Sequence, residues 1–222
     1  MEWKRTMLFA IVMVSALGVG ETLAEIVEIS LVAEVRLVND SSDLLEGRIQ
    51  VGDLITGSYV YDSATPDSSP SSTVGDYWYY DQPYGIFLSA GGFDFRTDPD
   101  NVMFLLVIAN DHGGLHRDNY SLTSYNNLPL YEGVFITEIH WQLGDDSGNA
   151  LSTDALPLIP PVLSDWESVY GLNIDGARTR SESFVVRADV VSVEVVPEPV
   201  TVLLLTLGGA AVMVERRASR VT

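Results

Sequence analysis

Apolar and polar residues alternate with a period of two through most of this chain. Ile29, Leu31, Ala33, Val35 and Leu37 are interleaved with Ser30, Val32, Glu34 and Arg36. That spacing predicts a strand with one apolar and one mixed face. Ile55, Gly57, Tyr59 and Tyr61 repeat it, and a Pro/Ser/Asp-rich loop follows from Ser63 to Thr73. Ile86–Leu88 and Phe93–Phe95 flank Ser89-Ala90-Gly91-Gly92 and predict a hairpin. Val102–Ala109 is continuously apolar, as in a central strand covered on both faces, although a short buried helix leaves the same trace. Tyr120–Tyr125, Val134–Leu143, Val169–Ile174 and Phe184–Val195 complete the set, and only Leu163–Tyr170 offers a helical period.

Eight to ten short strands separated by Gly, Asp and Asn turns predict an all-β domain: a single β-sandwich, in a jelly-roll-like or barrel-like variant. The Pro-rich stretch Leu156–Val162 reads as an extended crossing, because proline neither donates to a ladder nor continues a helix. No internal repeat or shift of composition divides the domain.

The two ends follow different rules. Lys4 and Arg5 precede a thirteen-residue apolar run, Met7–Val19, and then Thr22-Leu23-Ala24. This is the layout of a secretory signal peptide cleaved after Ala24. At the other end Val196-Pro197-Glu198-Pro199 leads into fifteen residues, Val200–Val214, with only Thr201 and Thr206 polar. As a helix they span about 22 Å, short of the ~30 Å core of a bilayer. Arg216, Arg217 and Arg220 follow, and such clusters stay on the cytoplasmic side. The expected organisation is a signal peptide over 1–24, a β domain over 25–195 and a membrane-handling tail over 196–220.

A Pro-Glu-Pro motif, a short apolar helix and a terminal Arg cluster, in that order, resemble the PEP-CTERM sorting signal. The matching residues are Pro197, Glu198 and Pro199, then Val200–Val214, then Arg216, Arg217 and Arg220. Gly52–Pro66 and Ala150–Glu167 are also similar to stretches that recur in PEP-CTERM proteins. The resemblance implies a Gram-negative envelope protein, halted in the membrane by its C-terminal helix and cut near the motif by an exosortase, whose own nucleophile does the chemistry. An uncleaved membrane anchor is the alternative reading of the same tail.

Charge narrows the partners. The domain 25–195 carries seven Arg and no Lys against 27 Asp plus Glu, a net of −20. Such a surface repels nucleic acid and anionic headgroups, so no nucleic-acid partner is expected. There is no cysteine, hence neither disulfide nor thiolate metal site.

Candidate chemistry in the domain is sparse. His112 and His116 have the i, i+4 spacing of a helical metal pair, but Gly113-Gly114 disfavour a helix and no Glu follows the first His. They read as a solvated loop. Asp94, Asp98, Asp100, Asp111 and Asp118 gather in sequence around the apolar run, and Asp145-Asp146-Ser147-Gly148-Asn149 superficially resembles a calcium loop without its closing Glu. A structural calcium remains open on those oxygens, with a tight turn the expectation for 145–149. Tyr77-Trp78-Tyr79-Tyr80 with Tyr84 could form a platform for sugar stacking, or fill the core and its rim. There is no Gly-x-Ser-x-Gly elbow and no phosphate-cradling loop. The expectation is an exported surface or extracellular-matrix protein without catalytic activity, processed by signal peptidase and exosortase and in contact with membrane through its tail. A secreted carbohydrate-binding or carbohydrate-active protein, touching exopolysaccharide, is the alternative.

Overall fold

A computed structural model describes residues 26–114 and 116–197. Ala24, Glu198, Pro199, Arg216, Arg217 and Arg220, and with them the expected signal peptide and apolar tail, lie outside the described residues. Among the described residues there are ten strands: β1 (Ile26–Asn39), β2 (Leu54–Asp62), β3 (Val74–Tyr79), β4 (Gly85–Ala90), β5 (Phe93–Arg96), β6 (Phe104–His112), β7 (Arg117–Ser124), β8 (Phe135–Asp145), β9 (Ser168–Ala177) and β10 (Ser183–Val195). They form one sheet in the order β3-β6-β7-β8-β9-β10-β1-β2-β4-β5. Every neighbouring pair is antiparallel.

The all-β expectation holds, and the expected sandwich takes the form of a single sheet that curls into a half-barrel. Curling brings β2 over β7 and β8: Tyr59 meets Tyr120 through their hydroxyls and Trp141 through its ring. The edges stay unpaired with each other but are covered. Loop 63–73 lies along β3, with Ser68 N–H donating to Asp76 O at 3.0 Å and Asp76 N–H to Asp67 Oδ1 at 2.9 Å. Along β5, Leu128 N–H donates to Arg96 O at 3.0 Å. Exposed edges invite pairing with other chains, and these contacts remove that hazard.

The period-two residues land inside as their alternation requires. Ile29, Leu31, Ala33 and Val35 of β1 and Ile55, Tyr59 and Tyr61 of β2 are buried. Leu37 is a correction: the β1–β10 register shifts between Val35 and Leu37, and beyond that bulge Leu37 faces solvent. One inserted residue moves the alternation to the opposite face. The helical period over 163–170 yields only a single 3-10 turn, Leu163–Asp165, before β9 begins at Ser168. β3 was not evident in sequence, because Gly75 and Asp76 interrupt its pattern. The β4–β5 hairpin is as expected, with Gly91 and Gly92 at φ +57° and +77° in a two-residue turn that excludes most side chains.

Two loops close the ends of the half-barrel. Asp40 accepts the N–H groups of Leu44 and Leu45 at 2.8 and 2.7 Å, driving both leucines fully inside one end. Residues 146–167 cross the other. Among the described residues no helix is long and apolar enough to cross a membrane.

Candidate functional site

Residues 77–79 of the aromatic run end edge strand β3, Tyr80 follows directly, and the alternation of a strand splits the run. Tyr77 and Tyr79 point inward, their hydroxyls donating to Asp154 O at 2.7 Å and Asp62 O at 3.0 Å. Burial, reinforced by the carboxylates of Asp67 and Asp154, pushes the Tyr77 phenol up to about 12. Burial raises Tyr79 as well. Tyr84 packs back on Tyr79, ring centroids 5.0 Å apart. The five aromatic residues therefore do not form one platform, and Tyr77, Tyr79 and Tyr84 take the alternative of filling the core and its rim. Trp78 and Tyr80 point outward instead, their rings parallel within 6° at 6.0 Å, and Tyr125 stacks on Trp78 at 5.8 Å.

Trp78 begins a line of side chains across the outer face. Registers pair Trp78 with Leu105, Leu105 with Thr123, Thr123 with His140, His140 with Asn173, and Asn173 with Arg187. Six strands thus contribute one residue each, with ~4.8 Å between neighbours. Thr123 and the adjacent Ser121 are only 8% and 9% exposed although they face outward. Neighbouring side chains cover them. On this face the Thr123 hydroxyl and His140 Nδ1 are 2.9 Å apart. At the far end burial raises the Asp175 carboxyl, with Arg187 and His140 partly opposing the shift.

A separate cleft of about 300 Å³ opens where the β3–β4 and β5–β6 connections meet, lined by Ser58, Gln82, Tyr84, Gly85, Phe87 and Arg96 among others. Ser58, Phe87 and Arg96 stand in cross-strand register there. Among the described residues no carboxylate lies within ion-pair distance of Arg96, whereas Arg36, Arg48 and Arg117 each meet an acid.

The acids flagged for calcium do not converge. Asp94, Asp98 and Asp100 lie before β6, whereas Asp111 and Asp118 lie at its far end, a nine-residue strand away. Asp98 spends an oxygen on Asp100 N–H at 3.0 Å. Asp118, 1% exposed, accepts Asp111 N–H and Leu151 N–H, both at 2.8 Å. Asp145, equally buried, organises its own loop: it accepts Ser147 N–H at 3.0 Å, Asn149 N–H at 2.7 Å and Ala150 N–H at 3.1 Å, together with the Ser147 hydroxyl. Burial opposes ionisation of Asp145, but those donors outweigh it and hold the carboxyl below its ordinary value. Residues 145–149 are thus the tight turn. His112 and His116 lie on the β6–β7 hairpin and serve separate neighbours, Thr73 and Asp111. Among the described residues no three His, Cys, Asp or Glu side chains are grouped to hold a metal ion.

His140, Asn173, Asp175 and Arg187 were not singled out in the sequence. Each sits at an outward position of its strand, which alternation shows, but only strand pairing reveals that they share a row with Trp78. Set against known protein families, curated proteins and solved structures, the chain finds no match.

Proposed function

We propose that this chain is an exported protein of the cell surface or extracellular matrix, addressed there by its C-terminal tail as an exosortase substrate. The β domain is then the mature body between a signal peptide removed after Ala24 and a membrane-halting segment that follows Pro197-Glu198-Pro199. The observation that carries the reading is the ordered tail: motif, apolar run and Arg216, Arg217 and Arg220. The fold is compatible with it. Val196 N–H donates to Glu28 O at 2.9 Å, so the chain enters and leaves the domain side by side. A domain with both ends at one pole projects its remaining surface away from an attachment point. No catalytic activity is assigned to it.

The test is the intact mass of the exported protein in a host with an exosortase, beside the triple variant Pro197→Ala/Glu198→Ala/Pro199→Ala. Loss of the tail in the parent and its retention in the variant are expected. A parent that keeps its tail overturns the sorting reading in favour of an uncleaved anchor.

A second reading concerns what the body touches, and the row from Trp78 to Arg187 favours it. Parallel ring faces suit the C–H faces of pyranoses, and the hydroxyl, imidazole, amide and guanidinium beyond them suit hydroxyl-rich ligands. In this reading the outer row binds a linear saccharide such as exopolysaccharide, with Arg96 in the neighbouring cleft available to a carboxylate. Chemical-shift perturbation with neutral and uronic oligosaccharides tests it, and unperturbed Trp78, Tyr125 and Thr123 signals at millimolar ligand would remove it.

A further inference from the structure

The crossing 146–167 is pinned to the domain from beneath. Tyr61 donates its hydroxyl to Pro157 O at 2.5 Å, Tyr77 donates to Asp154 O, and Leu151, Leu156 and Leu163 pack on the core with Trp166 buried beside them. Between these anchors three aliphatic side chains turn outward: Leu158 at 55%, Ile159 at 66% and Val162 at 55% exposure. Pro157, Pro160 and Pro161 hold the intervening backbone extended, so the tip is presented on a stiff frame. Clustered exposed aliphatics on an otherwise acidic domain call for an apolar partner.

Their position identifies that partner. The tip stands over the end of β2, where Asp62 pairs with Ile26 at the start of β1. The last residues of β10 leave at the same pole through the Val196–Glu28 contact. Val200, where the apolar run begins, is three positions beyond Pro197, and three residues reach at most about 10 Å. A bilayer that holds 200–214 therefore lies within that reach of Pro197, on the pole that also presents Leu158, Ile159 and Val162.

We propose that this tip seats on the lipid bilayer from which the tail emerges, and that it fixes the domain upright on the membrane. The inference rests on reading 200–214 as a membrane segment. The contact is apolar rather than electrostatic, because Asp154 and Asp165 flank the tip and repel anionic headgroups. Seating of the tip holds Pro197 at headgroup level, where a membrane protease-transpeptidase would have to act.

The absence of native cysteine allows a clean measurement. Ile159→Cys in the full-length chain is labelled with an environment-sensitive dye and reconstituted in zwitterionic phosphatidylcholine vesicles. Leu158→Cys repeats the measurement. Ser181→Cys, in the turn joining β9 to β10 at the opposite end, is the control. The proposal expects blue-shifted emission and loss of aqueous iodide quenching at 159 and 158, with neither change at 181. Flotation of the same vesicles separates the two readings. A chain that floats while the label at 159 stays quenched as in water overturns the docking surface alone. A chain that does not float overturns the membrane reading and the docking with it.

Discussion

The hydroxyls of Tyr59 and Tyr120 lie 2.9 Å apart in the fully buried centre of the domain, joining β2 to β7 across a sheet in which four other strands stand between them. Trp141 packs against both rings, at 6.1 and 5.7 Å. The contact is a polar clasp on an otherwise apolar curl, and each hydroxyl satisfies the other. Tyr59→Phe leaves the Tyr120 hydroxyl buried without this partner and is expected to cost about 1–3 kcal/mol. Tyr59→Phe/Tyr120→Phe should cost less than the two single changes combined, because both polar groups then leave the core. Urea unfolding of the three variants measures the coupling, and strict additivity would mean that the hydroxyls do not act as a pair.

The same tyrosines set an alkaline limit. Burial raises Tyr59 and Tyr120 well above the ordinary phenol value, and raises Tyr77 to about 12. A folded-state pKa above the unfolded one gives stability that is complete below the unfolded value, about 10 for tyrosine, and lost above it. Melting temperature is therefore expected to hold up to about pH 10 and then fall. Tyrosinate absorbance of the buried rings should appear together with unfolding. Ionisation of all tyrosines in the folded protein would contradict that burial.

Acid weakens a different element. The Asp145 carboxyl is held below its ordinary value, so its contribution is present above the unfolded pKa and disappears as pH falls through the folded one. Asp145→Asn should speed amide exchange at Asn149 and Ala150 at neutral pH, while exchange in β2 and β7 stays slow. Asp118→Ala, which strands the buried N–H groups of Asp111 and Leu151, is expected to lower stability by about 1–3 kcal/mol. Unchanged exchange at Asn149 and Ala150 in Asp145→Asn would show that the carboxylate does not organise the loop.

Saccharide binding on the outer row depends on Trp78 and Tyr125. Trp78→Ala or Tyr125→Ala should weaken a linear oligosaccharide by about 0.5–1.5 kcal/mol, up to roughly tenfold in Kd. Both residues face outward, so circular dichroism and melting should change little. Arg96→Gln should reduce the advantage of a uronic over a neutral ligand and leave the neutral one unaffected. Titration calorimetry across the three variants decides whether the outer row, the cleft or neither carries binding.

Local alternation made most of this fold legible. A strand buried on one face must repeat its apolar residues every second position, and β1, β2, β8 and β10 announce themselves in that way. The β4–β5 turn was equally readable, since two consecutive positive-φ positions call for glycine. The proposed sorting tail likewise rests on order and composition rather than on folding. β3 was hidden because its strand character comes from pairing with β6, not from its own glycine and aspartate. Leu37 was misplaced because a bulge is a property of two strands.

By itself, then, the sequence determined an acidic all-β domain, which follows from spacing and charge along the chain, and it supplied the ordered tail on which the proposed sorting rests. Tertiary structure alone decided which aromatic side chains look outward together, that Asp98, Asp118 and Asp145 accept backbone N–H groups, and that Leu158, Ile159 and Val162 share a pole with the end of β10. The physical reason is that register and curl are set by contacts between residues tens of positions apart. No local pattern encodes who the neighbour across the sheet will be.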